Sequence, residues 1–164
     1  MANIRKMLSD LNTPTIRALE SLAKTQSKET LVVWALDYSE LVLLPIWRKY
    51  YPEDSRPINA LKASREWLAG EIKLPQAKVA ILECHAAARE ADANPAAQAT
   101  ARAIGQSASA IHSTRHCIGL ALYGGLAVAY DILGTDASWD QLEKYAEDEC
   151  GRMLDALRSS RRKG

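Results

Sequence analysis

The sequence has no phenylalanine at all, and aromatic residues make up only 6% of it. A core packed on benzyl groups is therefore excluded. The interior must be built from Leu, Ile, Val and Ala around four Trp and six Tyr. Cysteine is scarce too. Cys84, Cys117 and Cys150 lie far apart and form no CxxC pair, which excludes a disulfide framework or a zinc ribbon. They read as reduced thiols, and the expected location is cytoplasmic. Charge of one sign is also missing: 21 basic residues face 20 acidic ones, a net charge of +1. A dedicated nucleic-acid binder would carry a broad basic surface, so no nucleic-acid partner is expected. The one basic cluster, residues 158–164 (RSSRRKG), suits a frayed, solvated helix end. Long apolar runs are absent as well. The charge-free stretch Cys117–Tyr130 is shorter than the ~20 residues of a membrane span. It reads as a buried core helix, and no membrane partner is expected. The opening segment MANIRKMLSDLNTPT has no apolar run typical of a secretion signal.

What the sequence has in quantity is alanine, the best helix former and a residue that lets helices approach closely. Helix punctuation runs along the whole chain. Thr13-Pro14 places a capping residue before a first-turn proline, with a helix to about Lys24. Ser27 caps a second helix, apolar nearly all round from Leu31 to Leu44, which Pro45 should kink or end. Arg56-Pro57 opens a third, stopped near Gly70, and Pro75 opens a fourth that runs to about Asp92. Asn94-Pro95 begins a long helix expected to reach His116 and to continue or re-form through Leu133, with Gly124-Gly125 marking a bend or a close crossing. Ser138 and Gln141 form a capping box for a last helix, Trp139 to about Leu157. No segment shows the period-two alternation of a strand. The expected fold is all-α: residues 1–164 as a single compact bundle of six or seven mostly antiparallel helices.

Candidate chemistry is sparse. His112 and His116, four residues apart in AIHSTRHC, would share one helix face. His85 lies on the apolar stripe of the preceding helix, and Tyr123 follows on the His112 face. Asp37 and Glu40 interrupt an otherwise apolar helix, as a structural ion pair with an arginine, a solvated edge, or an acidic group near the histidines. Asp37, His85, His112, His116 and Tyr123 thus form a candidate pocket, while hydrogen-bonded histidines in a packing layer are the plainer alternative. HSTRH lacks the Glu of HExxH, so no metal site is assigned and no cofactor is expected. No phosphate loop or nucleophile elbow occurs, and no residue is singled out as catalytic. An enzyme is therefore the less favoured reading. The segment WRKYYPEDSRP joins Trp, Tyr and Arg, the residue types that dominate binding hot spots. Trp47, Tyr50, Tyr51 and Arg56 are its candidate partner-binding residues, all expected to be partly exposed.

Four separated segments together are more specific than any one of them: WALDYSELVLLPIW, DSRPINALKASREWLAGE, ECHAAAREA and ARAIGQSASAIHSTRHCIGLALYGG. In this order they resemble the Imm-5-like immunity proteins of bacteria, over roughly Leu31 to Tyr130. The family's DRP, RxW, AHAAARE and AxxGxxxxxxH elements match Arg56-Pro57, Arg65 to Trp67, His85 to Glu90, and Gly105 with His112 and His116. One departure is Ser55, which separates Asp54 from Arg56. The resemblance implies a small protein that binds a cognate toxin and blocks it, with a protein as its partner. The alternatives are a helical enzyme or small-ligand protein with a His/Asp-lined pocket, and a homo-oligomer joined through Gly/Ala-rich helix faces.

Overall fold

Side-chain caps start three of the helices where the sequence places them. Ser27 Oγ accepts the Thr30 N–H, Asn94 Oδ1 accepts that of Ala97, and Ser138 and Gln141 exchange side-chain and backbone bonds. The computed structural model describes residues 4–163, with side chains through Ser160. The side chains of the basic cluster beyond Ser160 therefore lie outside the described residues. The helices are α1 (Pro14–Ala23), α2 (Lys28–Tyr38), α3 (Leu44–Tyr50), α4 (Arg56–Leu68), α5 (Leu74–Glu90), α6 (Pro95–Ser109), α7 (Cys117–Leu133) and α8 (Trp139–Lys163). A π-helical turn, Ser39–Leu43, joins α2 to α3 without a break, so the eight segments make seven rods. No strand occurs among the described residues.

That π turn is how the chain tolerates Pro45. A proline in a continuous α-helix removes one N–H and clashes with the carbonyl four residues back. Here Leu44 N–H reaches back five residues to Ser39 O, which widens the helix just ahead of the proline. The helix shifts register instead of ending. Gly70 and Gly134, at φ +76° and +79°, terminate α4 and α7 in a conformation that costs a side-chain-bearing residue strain. The last helix runs past Leu157 to Lys163, longer than expected.

α6 is the central rod, packed against α2, α3, α4, α5 and α7. Its sequence, PAAQATARAIGQSAS, explains why so many neighbours fit: small side chains let several backbones approach at once. Two of its buried hydroxyls are satisfied locally, Thr100 donating to Ala96 O and Ser109 to Gly105 O, while the Ser107 hydroxyl is buried without a partner. Ser64 of α4 and Cys84 of α5 donate to α6 carbonyls at Ala108 and Ala101. The small-residue faces of α6 are thus covered within the chain.

α7 is continuous through Gly124-Gly125, so the pair marks a crossing and not a bend. A Cβ at Gly125 would stand 2.9 Å from Ala146 O and 3.0 Å from Cys150 Sγ of α8. Across the other side of α7 runs the N-terminal segment, held by Leu8 N–H to Leu122 O and by the Tyr130 hydroxyl to Arg5 O. Lys28–Tyr50 and Thr114–Leu133 are long and apolar enough to cross a membrane by length and composition, and 61% of each such window is buried in this bundle.

Candidate functional site

The HSTRH stretch is not helical through its length. α6 ends at Ser109, and the chain turns through residues 110–113 with Ser113 extended at φ −150°. A single 3-10 turn, Thr114–His116, then leads into α7. His112 and His116 therefore do not share a helix face. Their rings still lie near each other, 6.4 Å apart and 25° from parallel, with His112 exposed. His116 Nδ1 donates to Gln106 Oε1 at 3.1 Å. Burial, then the neighbouring His112 and Arg115, hold His116 below the ordinary histidine range.

His85 sits on α5 with its ring against Gly105 of α6. A Cβ at Gly105 would fall 2.5 Å from the ring Cε1. The Arg102 guanidinium lies 3.3 Å from His85 Nδ1. Burial first, then the charges of Arg102, Arg89 and His116, push the imidazole below its usual range and keep it neutral. Since a guanidinium only donates, His85 Nδ1 accepts and the ring proton sits on Nε2. Gln106, one turn beyond Arg102, packs its stem against Gly119 of α7, where a Cβ would be 2.6 Å away. Two glycines of the family pattern and its flank are thus seats for polar side chains.

These groups open onto a cleft of about 260 Å³ lined by Lys6, His85, Gln98, Arg102, Gln106 and Tyr123. A larger, mostly apolar groove of about 510 Å³ shares Gln106 and Tyr123 and extends along Leu31, Cys117, Ile118 and Leu122. Of the five pocket residues proposed from sequence, His85 and Tyr123 line the cleft and His116 backs it through Gln106. His112 remains outside on the surface. Asp37 belongs elsewhere: with Glu40 it grips Arg65 of α4, at 2.5 Å and 2.8 Å. The ion-pair alternative holds there: Asp37 of α2 and Glu40 of the following π turn both meet Arg65 at the surface. Among the described residues no group of three His, Cys, Asp or Glu side chains could hold a metal ion. The three thiols are free and buried. Burial pushes Cys84 and Cys150 up to about 12 and Cys117 to about 11.

Sequence reasoning missed Gln98, Arg102, Gln106 and Lys6. The first three had a signal. They recur at four-residue steps and form one polar ridge on an otherwise Ala-rich helix. Lys6 had none, since only the strap across α7 brings it to the cleft.

The second candidate region is the α3–α4 corner. Trp47 is 1% exposed, which overturns its place on a partly exposed edge. It is the floor of that edge. Its indole stacks on Tyr51 at 4.8 Å and donates to Asp54 O at 2.8 Å. Above it the chain from Tyr50 to Arg56 lines an open hollow of about 470 Å³. Tyr50 is exposed and bonds Asp131 of α7 beside Lys49. Arg56 is half-buried between Asp54, which it meets with both Nε and Nη2, and Glu90 of α5 at 2.8 Å. Its charge holds both carboxyls below their ordinary range. The Asp–Arg pair therefore forms despite the intervening Ser55.

A family model described as "Imm-5 like putative immunity protein" matches residues 21–156. The chain belongs to this Imm-5-like family. No curated protein and no solved structure matches it. The family span contains both candidate regions except Lys6. Several of its motif residues hold this bundle together: Arg65 ties α4 to α2, Arg56 ties α4 to α5, and Trp67 lies under the Lys28 ammonium at 5.1 Å. In this Imm-5-like chain Gly105 and His85 form one packing unit between α5 and α6.

Proposed function

We propose that this Imm-5-like protein binds a cognate toxin and neutralises it by occlusion, in the cytoplasm, where its free buried thiols stay reduced. The family match over residues 21–156 carries this reading. The α3–α4 corner supports a contact surface there. Tyr50, Tyr51 and Arg56 are partly exposed over a rigid Trp47 floor, and the surrounding ion pairs fix them before any partner arrives. Such preorganisation lowers the ordering cost of association. An occluding protein needs a stable complementary surface and no active site. The His/Asp pocket alternative loses two of its five members, since Asp37 and His112 face away from the cleft.

The test is capture of partners by the tagged full chain from its native host, followed by expression of each partner alone. The expected result is a stoichiometric partner that is toxic alone and harmless with this chain. A captured partner whose toxicity the chain does not relieve contradicts the proposal, as does an absence of any stoichiometric partner under conditions where the toxin is produced.

A further inference from the structure

The cleft between α5, α6, α7 and the N-terminal strap is rich in donors and holds no carboxylate among its lining residues; Gln98, whose NH₂ goes to Ala88 O, brings only a neutral amide oxygen. Arg102 is half-buried there, and among the described residues it has no carboxylate partner; its one polar contact is His85 Nδ1. A guanidinium has five N–H donors, and a single bond to an imidazole leaves most of its fork open to the cleft. The surrounding groups do not supply the missing anion. His85 presents a neutral ring whose remaining hydrogen is a donor. The Gln106 amide, with its oxygen taken by His116, has its NH₂ left. Tyr123 adds a hydroxyl at the wall. Lys6 adds a second positive charge at the mouth, only loosely met by Asp92 at 3.7 Å, with both side chains well exposed. Elsewhere in this chain arginines that link helices are matched: Arg56 by two carboxylates and Arg65 by two more. Arg102 is the exception, and it faces a space of about 260 Å³. That is far above the ~30 Å³ share of one water molecule.

We propose that this cleft binds a small oxyanion, a phosphate or carboxylate group, held by the open fork of Arg102 with Lys6 at the mouth and with His85, Gln106 and Tyr123 as neutral donors. Arg matches both anions with two parallel N–H bonds. Gly105 is part of the device: only a residue without Cβ lets the His85 ring lie flat enough against α6 to bond Arg102 and aim it. The site is separate from the α3–α4 corner and does not depend on toxin binding. A chain that neutralises nothing would still bind the anion.

The experiment is NMR of the isotope-labelled full chain, titrated at constant pH and ionic strength with sodium phosphate, sodium acetate or sodium chloride. The expected result is a saturable shift from phosphate or acetate centred on His85, Arg102 and Gln106, with chloride giving none. The bound anion also favours protonation of His85. Its titration midpoint, lowered in the free protein by burial first and then by Arg102, Arg89 and His116, rises when the anion is present. Arg102→Gln weakens binding by at least about tenfold. Lys6→Ala, at an exposed position, weakens it by about two- to fivefold. The proposal is overturned if neither phosphate nor acetate gives a saturable shift, if chloride reproduces it, or if folded Arg102→Gln and Lys6→Ala bind as tightly as the unaltered chain.

Discussion

At the residue scale the bundle is organised by what occupies the space beside its glycines. Gly105 takes the His85 ring, Gly119 the stem of Gln106, and Gly125 the backbone of α8. Replacing Gly105 by Ala forces either the ring or α5 to move, because all three of the nearest ring atoms lie within 3 Å of the new carbon. Overpacking of this kind costs about 1–3 kcal/mol. Urea unfolding of Gly105→Ala should show that loss. Combining it with His85→Ala should recover part of it, since the clash then has no second partner. Equal losses in both backgrounds would mean that the ring is not what Gly105 accommodates.

The same histidine makes stability depend on pH. His85 and His116 both titrate below the ordinary value of 6.5 when folded. The unfolded chain therefore binds more protons than the folded one as pH drops below about 6.5, and stability falls with pH in that window. It is fully present above it. Each group contributes a slope of at most about 1.4 kcal/mol per pH unit. Asp54 and Glu90 act in a lower window, below about 4, where their Arg56 pairings are lost by protonation. Unfolding midpoints measured from pH 7.5 to 5 should decline, and His85→Gln should flatten part of that decline. A profile unchanged by the substitution would contradict a neutral, buried His85.

At the scale of elements, crossing distance decides which small residues matter. Gly125→Ala brings a carbon against Ala146 O and should separate α7 from α8, at a cost of about 1–3 kcal/mol. Gly151 on α8 has nothing within 4 Å of the equivalent position. Gly151→Ala should stabilise by about 0.5–1 kcal/mol through helix propensity alone. Thermal unfolding of the two variants should therefore shift in opposite directions. The caps at Ser27, Asn94 and Ser138 and the stops at Gly70 and Gly134 were legible in the sequence because each is a local hydrogen bond or a local backbone conformation. The end of α6 was not. Residues 110–113 carry neither proline nor glycine, and Ala110 and Ile111, buried in the main core, leave no local signal of the turn. The π turn before Pro45 was half-legible: the proline announced a disturbance but not its form. Trp47 read as surface because its neighbours in sequence are charged, while its helical period with Leu43 and Leu44 placed it inside.

At the scale of the whole molecule, α6 gathers the bundle and also carries the Gln98–Arg102–Gln106 ridge that faces the cleft. The α3–α4 corner stands apart from it, closed by the Asp54–Arg56–Glu90 and Lys49–Tyr50–Asp131 clusters. His85 and Tyr123 were placed in a site from sequence alone because helix periodicity put them on inward faces. Asp37 was assigned to the same pocket, but the fold pairs it with Arg65, 28 positions away in the chain. The proposed toxin neutralisation belongs to this scale, since occlusion would use a surface and not a single group. The most direct measurement is growth of cells expressing the captured toxin together with either the unaltered chain or a variant carrying Tyr50→Ala and Glu53→Arg, Glu53 being an exposed residue that lines the hollow at the α3–α4 corner. The unaltered chain should restore growth and form a one-to-one complex by size-exclusion chromatography, and the folded variant should do neither. Failure of the unaltered chain to restore growth while the two proteins are co-expressed would contradict the account.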